Sequence, residues 1–247
     1  MWRLSYYFLP YLKFTTVIFN NFTNSFYAGY SRLINFTHIP CAVICFSSIE
    51  SKSFYFYFNI SICFISLIYT DVQAAELSGT ATIAPVSVDL STEGTVDWVH
   101  WGRIDATTID RNANVSPQIS NYVPVAGATP GPSSRITAAY SWSDGNPDQT
   151  ITSTKTGLWV FNVGKGFEFT VQADTAFRTL KVYVGANAAR GKFEASLSDG
   201  SAPAYTTVVD QTSGRTSREV TRNYRAASAG QLLTVRYTID ALYLPDF

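Results

Sequence analysis

Four stretches of this chain alternate apolar and polar residues with a period of two. Phe167, Phe169 and Val171 alternate with Glu168, Thr170 and Gln172; Leu180, Val182 and Val184 alternate with Lys181 and Tyr183. Phe193, Ala195 and Leu197 alternate with Lys192, Glu194 and Ser196; Leu233, Val235 and Tyr237 alternate with Thr234 and Arg236. Successive side chains of a strand point to opposite faces, so each run gives a strand with one apolar face, whereas a helix would repeat at 3.6. Between and around the runs come GPSS, SDGNPD, VGKG, GANAARG, SDGSAP, TSGR and SAGQ. Gly supplies positive φ there, and Asn, Asp and Ser bond their own backbone, so these clusters predict turns. Strands recurring roughly every dozen residues, with no long helical stretch between them, predict an all-β fold: an antiparallel β-sandwich, jelly-roll-like, over residues 76–247.

What precedes that body has a different composition. Residues 1–52 are crowded with Phe, Tyr, Ile, Asn and Ser in no clear period. They are expected to be a poorly ordered extension, either a selected protein segment or an upstream extension of the reading frame. Residues 53–75 read as a signal-peptide-like or transmembrane segment. From Phe54 to Thr70 the chain runs FYFYFNISICFISLIYT without a charge, close to the short limit of about 17 residues for a bilayer span. Lys52 stands before it, and Val72 and Ala74 fill small-residue positions like those of a cleavage site. If the segment directs export, the body is expected to be extracytoplasmic, secreted or membrane-anchored. Cys41, Cys45 and Cys63 all precede the body, which must therefore be held by its core rather than by disulfides. Cys41 and Cys45 lack a second pair to complete a zinc site and read as incidental thiols.

Positive and negative side chains balance at 18 each. That gives no electrostatic reason to expect nucleic acid or an anionic membrane surface as a partner. Contact with a membrane is expected only through the N-terminal apolar segment.

The densest chemistry lies in DWVHWGR, residues 97–103. On a strand Trp98 and His100 share one face, and Asp97, Val99 and Trp101 share the other. One tryptophan per face predicts a two-sided strand, with one ring in the core and one outside. An exposed indole can stack on the apolar face of a sugar, whose hydroxyls Asp and His can bond. Trp142 ends a strand beside Asp144, where a loop-mounted site would sit. Trp98, His100, Trp101, Trp142 and Asp144 are thus the candidate ligand-binding residues. The competing reading packs both tryptophans in the core and leaves His100 to fix a loop. Trp159, in GLWVFNV with apolar residues on both faces, is expected in the core.

Other motifs point away from catalysis and metals. Asp144, Asn146 and Asp148 start like a calcium loop, but Gln149 and Lys155 stand where Gly and Glu are required. The Gly157–Gly164 spacing does not make a phosphate loop, and Gly166 stands where Ser or Thr would hold magnesium. Arg215, Arg218, Arg222 and Arg225 are expected on the solvated face of a strand, balanced by Glu219. No G-x-S-x-G or H-E-x-x-H occurs. Asn114 in N-V-S is a glycan acceptor if the chain is exported from a eukaryotic cell.

GTVDWVHWG, SPQISNY, YSWSDG, RTLKVYVGANAARGKFEASLSDGSAPAYT and YRAASAGQLLTVRYTID occur in this order. Together they resemble a β-sandwich repeat of large secreted or surface proteins, mostly bacterial, similar in pattern to galactose-binding-like jelly rolls. The resemblance covers nearly all of 76–247 and implies no established activity; galactose-binding-like folds often stand as accessory modules beside enzymes. Members continue past the stretch matching RYTIDALYLPDF into a further apolar strand, so the body is expected to lack its last strand. The function expected is a non-catalytic extracytoplasmic module that binds carbohydrate or mediates surface adhesion, with glycans or other surface proteins as partners and no cofactor or metal. The alternatives are a structural spacer repeat without a ligand and a fragment of a larger secreted enzyme.

Overall fold

The computed structural model describes residues 74–243 in full and residues 11–21 as backbone. The chain divides into two compact units, residues 1–23 with 72–247 and residues 24–71. The second unit lies outside the described residues, as do the apolar run Phe54–Thr70, the three cysteines and residues 244–247.

The first unit is an all-β sandwich of packed antiparallel sheets. Its elements are β1 (Tyr11–Asn21), β2 (Glu76–Ile83), β3 (Ser87–Asp89), α1 (Leu90–Glu93), β4 (Asp97–Trp101), β5 (Ile109–Asn112), β6 (Val123–Val125), β7 (Gly131–Ser133) and β8 (Ala139–Trp142). There follow β9 (Gly145–Asn146), β10 (Ile151–Thr154), β11 (Gly157–Val160), β12 (Gly166–Ala173), β13 (Arg178–Leu197), β14 (Tyr205–Arg225) and β15 (Gln231–Leu242). The four alternating runs fall in β12, in the two halves of β13 and in β15.

The hairpin β13–β14 organises the sandwich. Along residues 178–187 β13 pairs with β1; along residues 189–197 it pairs with β15, and β14 accompanies it throughout. The change comes at Ala188, which has φ 42° and sits in a register shift. A bulge bends a strand, and here the bend carries one hairpin from the first layer into the second. The first layer runs β2–β14–β13–β1–β4–β5, with β11 and β7 continuing from β1; the second runs β13–β15–β12–β6. GANAARG, expected as a turn, is this bend inside a strand. TSGR likewise lies within β14, where residues 212–214 stand opposite the bulge.

Between the layers lies the main core. Trp101 on β4 packs against Phe169 on β12 with ring centroids 5.7 Å apart. The Tyr237 hydroxyl on β15 donates to the Gly185 carbonyl at 3.2 Å, and that of Tyr224 on β14 donates to the Gln172 carbonyl of β12 at 3.0 Å. A second, smaller sheet, β10–β8–β3, supplies a separate core with Val88, Leu90, Ile136, Tyr140 and Trp142, which closes on Trp98 of β4 and Tyr183 of β13. The first layer is therefore covered on both faces around β4, and all five residues of DWVHW are buried.

One sequence expectation changes here. Residues Tyr11–Asn21 supply β1, and the rest of residues 1–52, expected as a poorly ordered extension, lies outside the described residues. The arginine group is on a strand as expected, but Arg222 turns inward with Val220 and Tyr224 and is fully buried.

Candidate functional site

β4 joins both cores, and its neighbours define the site. On the face toward the small sheet, Trp98 meets Trp142 with centroids 5.3 Å apart. His100 meets Trp142 edge-on at 5.3 Å and Tyr140 at 5.6 Å. The Trp98 Nε1–H donates to Asp144 Oδ1 at 3.1 Å, and the Ser91 hydroxyl donates to the same oxygen. The Trp142 Nε1–H donates to the Asp148 carbonyl at 2.8 Å. Four of the five candidate residues, Trp98, His100, Trp142 and Asp144, thus form one cluster. Trp101 stands across the sheet, donating to Asn121 Oδ1 at 2.8 Å.

The expectation of one tryptophan outside is corrected: Trp98 and Trp101 are both 0% exposed and Trp142 is 2% exposed. The covering sheet comes from residues remote from β4, so local alternation could not announce it. Burying an indole removes about 150–250 Å² from water, on the order of 4–6 kcal/mol per ring by area. Trp159, expected in the core, is half-buried; its ring lies against Gly131, and its Nε1–H donates to the Pro132 carbonyl at 3.1 Å.

His100 is fully buried, and desolvation, then the nearby Arg103 charge, lowers its pKa to about 3. It is a neutral packing group across the ordinary pH range. Its Nε2 lies 3.3 Å from the Thr156 hydroxyl, while Nδ1 has no partner. On the opposite face of β4, Asp97 Oδ2 accepts from the Gln118 and Ile119 amides at 2.7 and 3.0 Å. This clamps the segment that bridges Ile119 to Val171 of β12. Burial raises the Asp97 pKa, against the pull of those amides.

Beside the cluster is a charged latch that sequence reasoning missed. Arg103 Nε donates to Asp110 Oδ2 at 3.2 Å, and its Nη2 pairs with Asp148. Asp110 Oδ1 also accepts from the Asp148 amide at 3.3 Å. Burial pushes the Asp110 carboxyl up to about 6, and the second carboxylate adds to that; Arg103 and the amide only partly oppose it. Arg103 and Asp148 lay inside the two motifs that drew notice, but no spacing linked them to Asp110. The calcium-like positions Asp144 and Asp148 turn to different partners, Trp98 and Arg103 respectively.

The outer face of the second layer carries a different feature. Glu168, Arg236 and Glu194 lie side by side in register on β12, β15 and β13. With Thr206 and Thr234 they line an open polar groove of about 240 Å³. Arg236 Nε donates to Glu168 at 2.7 Å, and Lys192 pairs with Glu194 at 2.7 Å.

Against these features stand the comparisons with known proteins: no family model matches the chain, and no curated protein or solved structure matches it.

Proposed function

We propose that the chain is a non-catalytic structural module, a β-sandwich spacer whose aromatic cluster holds sheets together. One observation carries this reading: the indoles of Trp98, Trp101 and Trp142 are at most 2% exposed and bond to acceptors within the chain. A ring that stacks on a sugar needs an open face. The neutral, buried His100 supports the non-catalytic part, because a general acid or base must exchange protons near the working pH. The likeness of 76–247 to the galactose-binding-like repeat belongs to this proposal and agrees with a module of this kind.

A second reading, a glycan-binding or adhesive module, rests on the groove of Glu168, Glu194, Thr206, Thr234 and Arg236. Its carboxylates and hydroxyls suit a hydroxyl-rich ligand, although its lining holds no aromatic ring.

The test uses the full chain with Trp2 and Trp159 changed to Phe, so that three buried indoles report. Emission should be blue, resistant to acrylamide, and unmoved by a panel of polysaccharides with or without calcium. A saturable spectral shift would overturn the spacer reading in favour of binding near β4. Retention on a polysaccharide column that Glu168→Ala abolishes would instead favour the groove.

A further inference from the structure

Among the described residues β2 pairs only with β14, Glu76–Ile83 against Arg225–Arg218, and its other edge carries no strand. Residues 76–79 are half-buried, and residues 80–83 are exposed. A bare edge of this kind presents backbone N–H and C=O groups with which a further strand can pair.

A buried charge reaches this edge from inside. Arg222 is 0% exposed and stands in register with Gly79. Its guanidinium crosses from β14 onto β2. There Nη2 donates to the Thr80 carbonyl at 3.3 Å, and Nη1 lies 2.5 Å from the point where a Cβ on Gly79 would stand. Nε and Nη1 have no hydrogen-bond partner. Gly79 has φ 149°, and its Cβ would also meet the Thr221 carbonyl oxygen at 1.9 Å, so no side chain fits at this position. A glycine inside a strand often marks the close approach of another backbone. The Tyr205 ring, itself half-buried, covers the guanidinium from 3.4 Å. Toward its C-terminal end the edge turns apolar. Ile83 and Val86 are 75% and 83% exposed, and with Ala84, Pro85 and Ala138 they line an open groove of about 280 Å³.

We propose that the free edge of β2 is a docking site for an extended acidic segment of a partner protein, which adds as an antiparallel strand and places one carboxylate on Arg222. Charge complementarity selects this occupant. A buried cation with unused donors calls for an anion, and no carboxylate among the described residues supplies one. Strand spacing sets the reach. A strand added to β2 runs about 4.8 Å from it, a gap that a glutamate side chain spans. Opposite Gly79, that carboxylate meets Nη1 with no side chain of β2 between them, and the Tyr205 ring tilts to admit it. Gly79, Ala81 and Ile83 share one face of β2 by alternation. The residue opposite Ile83 is therefore on the same face as the glutamate, and an apolar side chain there enters the groove. Main-chain bonds to the edge supply affinity, while the carboxylate and the apolar residue fix the register. The unpaired charge that costs the free protein stability is then compensated in the complex.

The test uses the full chain and two labelled peptides, acetyl-Thr-Ile-Thr-Val-Thr-Glu-Thr-Thr-amide and the same peptide with Gln in place of Glu. Fluorescence anisotropy should show saturable binding of the first. The second should bind roughly tenfold more weakly, the worth of one charge-assisted hydrogen bond. Amide exchange should slow in residues 76–83 when the first peptide is bound. Arg222→Met, which keeps the stem in place, should bind the two peptides equally. The proposal is overturned if neither peptide binds, or if the parent binds both alike. It is equally overturned if Arg222→Met keeps the preference for Glu, or if the slowed amides lie on another edge such as β6. Should Arg222→Met fail to fold, the peptide pair on the parent decides alone.

Discussion

The indole N–H of Trp98 reaches the Asp144 carboxylate at 3.1 Å, and through that bond the central strand β4 is tied to the SDGNPD turn. The same oxygen accepts from Ser91 at the start of α1, so one carboxylate joins three segments. Asp144→Ala should leave two donors in a part-buried site, at a loss of about 1 kcal/mol. Urea unfolding should show a lower midpoint at unchanged slope. Trp98→Phe combined with Asp144→Ala should cost less than the sum of the two single changes. Strict additivity would mean that the bond contributes nothing.

Gly145 is the pivot of that turn. A Cβ there would stand 2.4 Å from the Asp148 carbonyl oxygen and 2.5 Å from Trp142 Nε1. The two atoms are partners in the hydrogen bond that fixes Trp142. Gly145→Ala should force them apart and destabilise by about 1–3 kcal/mol, although alanine normally stabilises by restricting the unfolded chain. Thermal unfolding of the variant decides the sign, and a raised midpoint would contradict the packing described.

Two buried groups near β4 respond to pH in opposite senses. Asp110 holds its proton more tightly folded, at about 6, than at its ordinary 3.8. Its contribution is present in full below about pH 4 and is lost as pH rises through 6. His100 is the reverse, falling from 6.5 to about 3. Its contribution is full above about pH 6.5 and is lost as pH falls toward 3. Between pH 4 and 6 the slopes oppose, each at most about 1.4 kcal/mol per pH unit. Relative to the parent, Asp110→Asn should gain stability as pH rises through this window, and His100→Gln should lose it. Each variant also carries a constant loss from its missing contacts. Denaturant titrations at four pH values give the difference curves, and curves parallel to the parent would refute both assignments.

How much of this could be read in the sequence follows from which interactions are local. The alternation in β12, β13 and β15 is visible because each strand buries one face by itself. The bend at Ala188 resembles a turn in sequence because bulges and turns use the same small residues. The double burial of DWVHW was not legible, because its second cover is built by β3, β8 and β10. Trp98, His100, Trp142 and Asp144 stand out in sequence as chemically dense and do converge, but on one another rather than on an open surface. Arg103, Asp110 and Asp148 come from separate stretches, and only the paired strands bring them together. The strand formed by residues 11–21 carried no clear alternation and pairs only with residues from Asp97 onward.

Arg222 offers the sharpest test of the core. It is 0% exposed, its Nε and Nη1 have no hydrogen-bond partner, and no carboxylate pairs with it among the described residues. The guanidinium lies 3.4 Å above the Tyr205 ring and 5.4 Å from that of Phe193, and its Nη2 donates to the Thr80 carbonyl at 3.3 Å. A cation–π contact returns about 2 kcal/mol when desolvated, whereas taking one ion from water costs several. Desolvation accordingly lowers the Arg222 pKa. Arg222→Met keeps the unbranched stem that fills this space and removes the charge, so it should stabilise the sandwich by about 1–3 kcal/mol. Arg222→Ala removes the stem as well and should forfeit that gain through the cavity it leaves. Urea midpoints for the two variants separate charge from volume. If Met proves as damaging as Ala, the guanidinium itself stabilises the core, and its contacts with Tyr205 and Thr80 outweigh the loss of water.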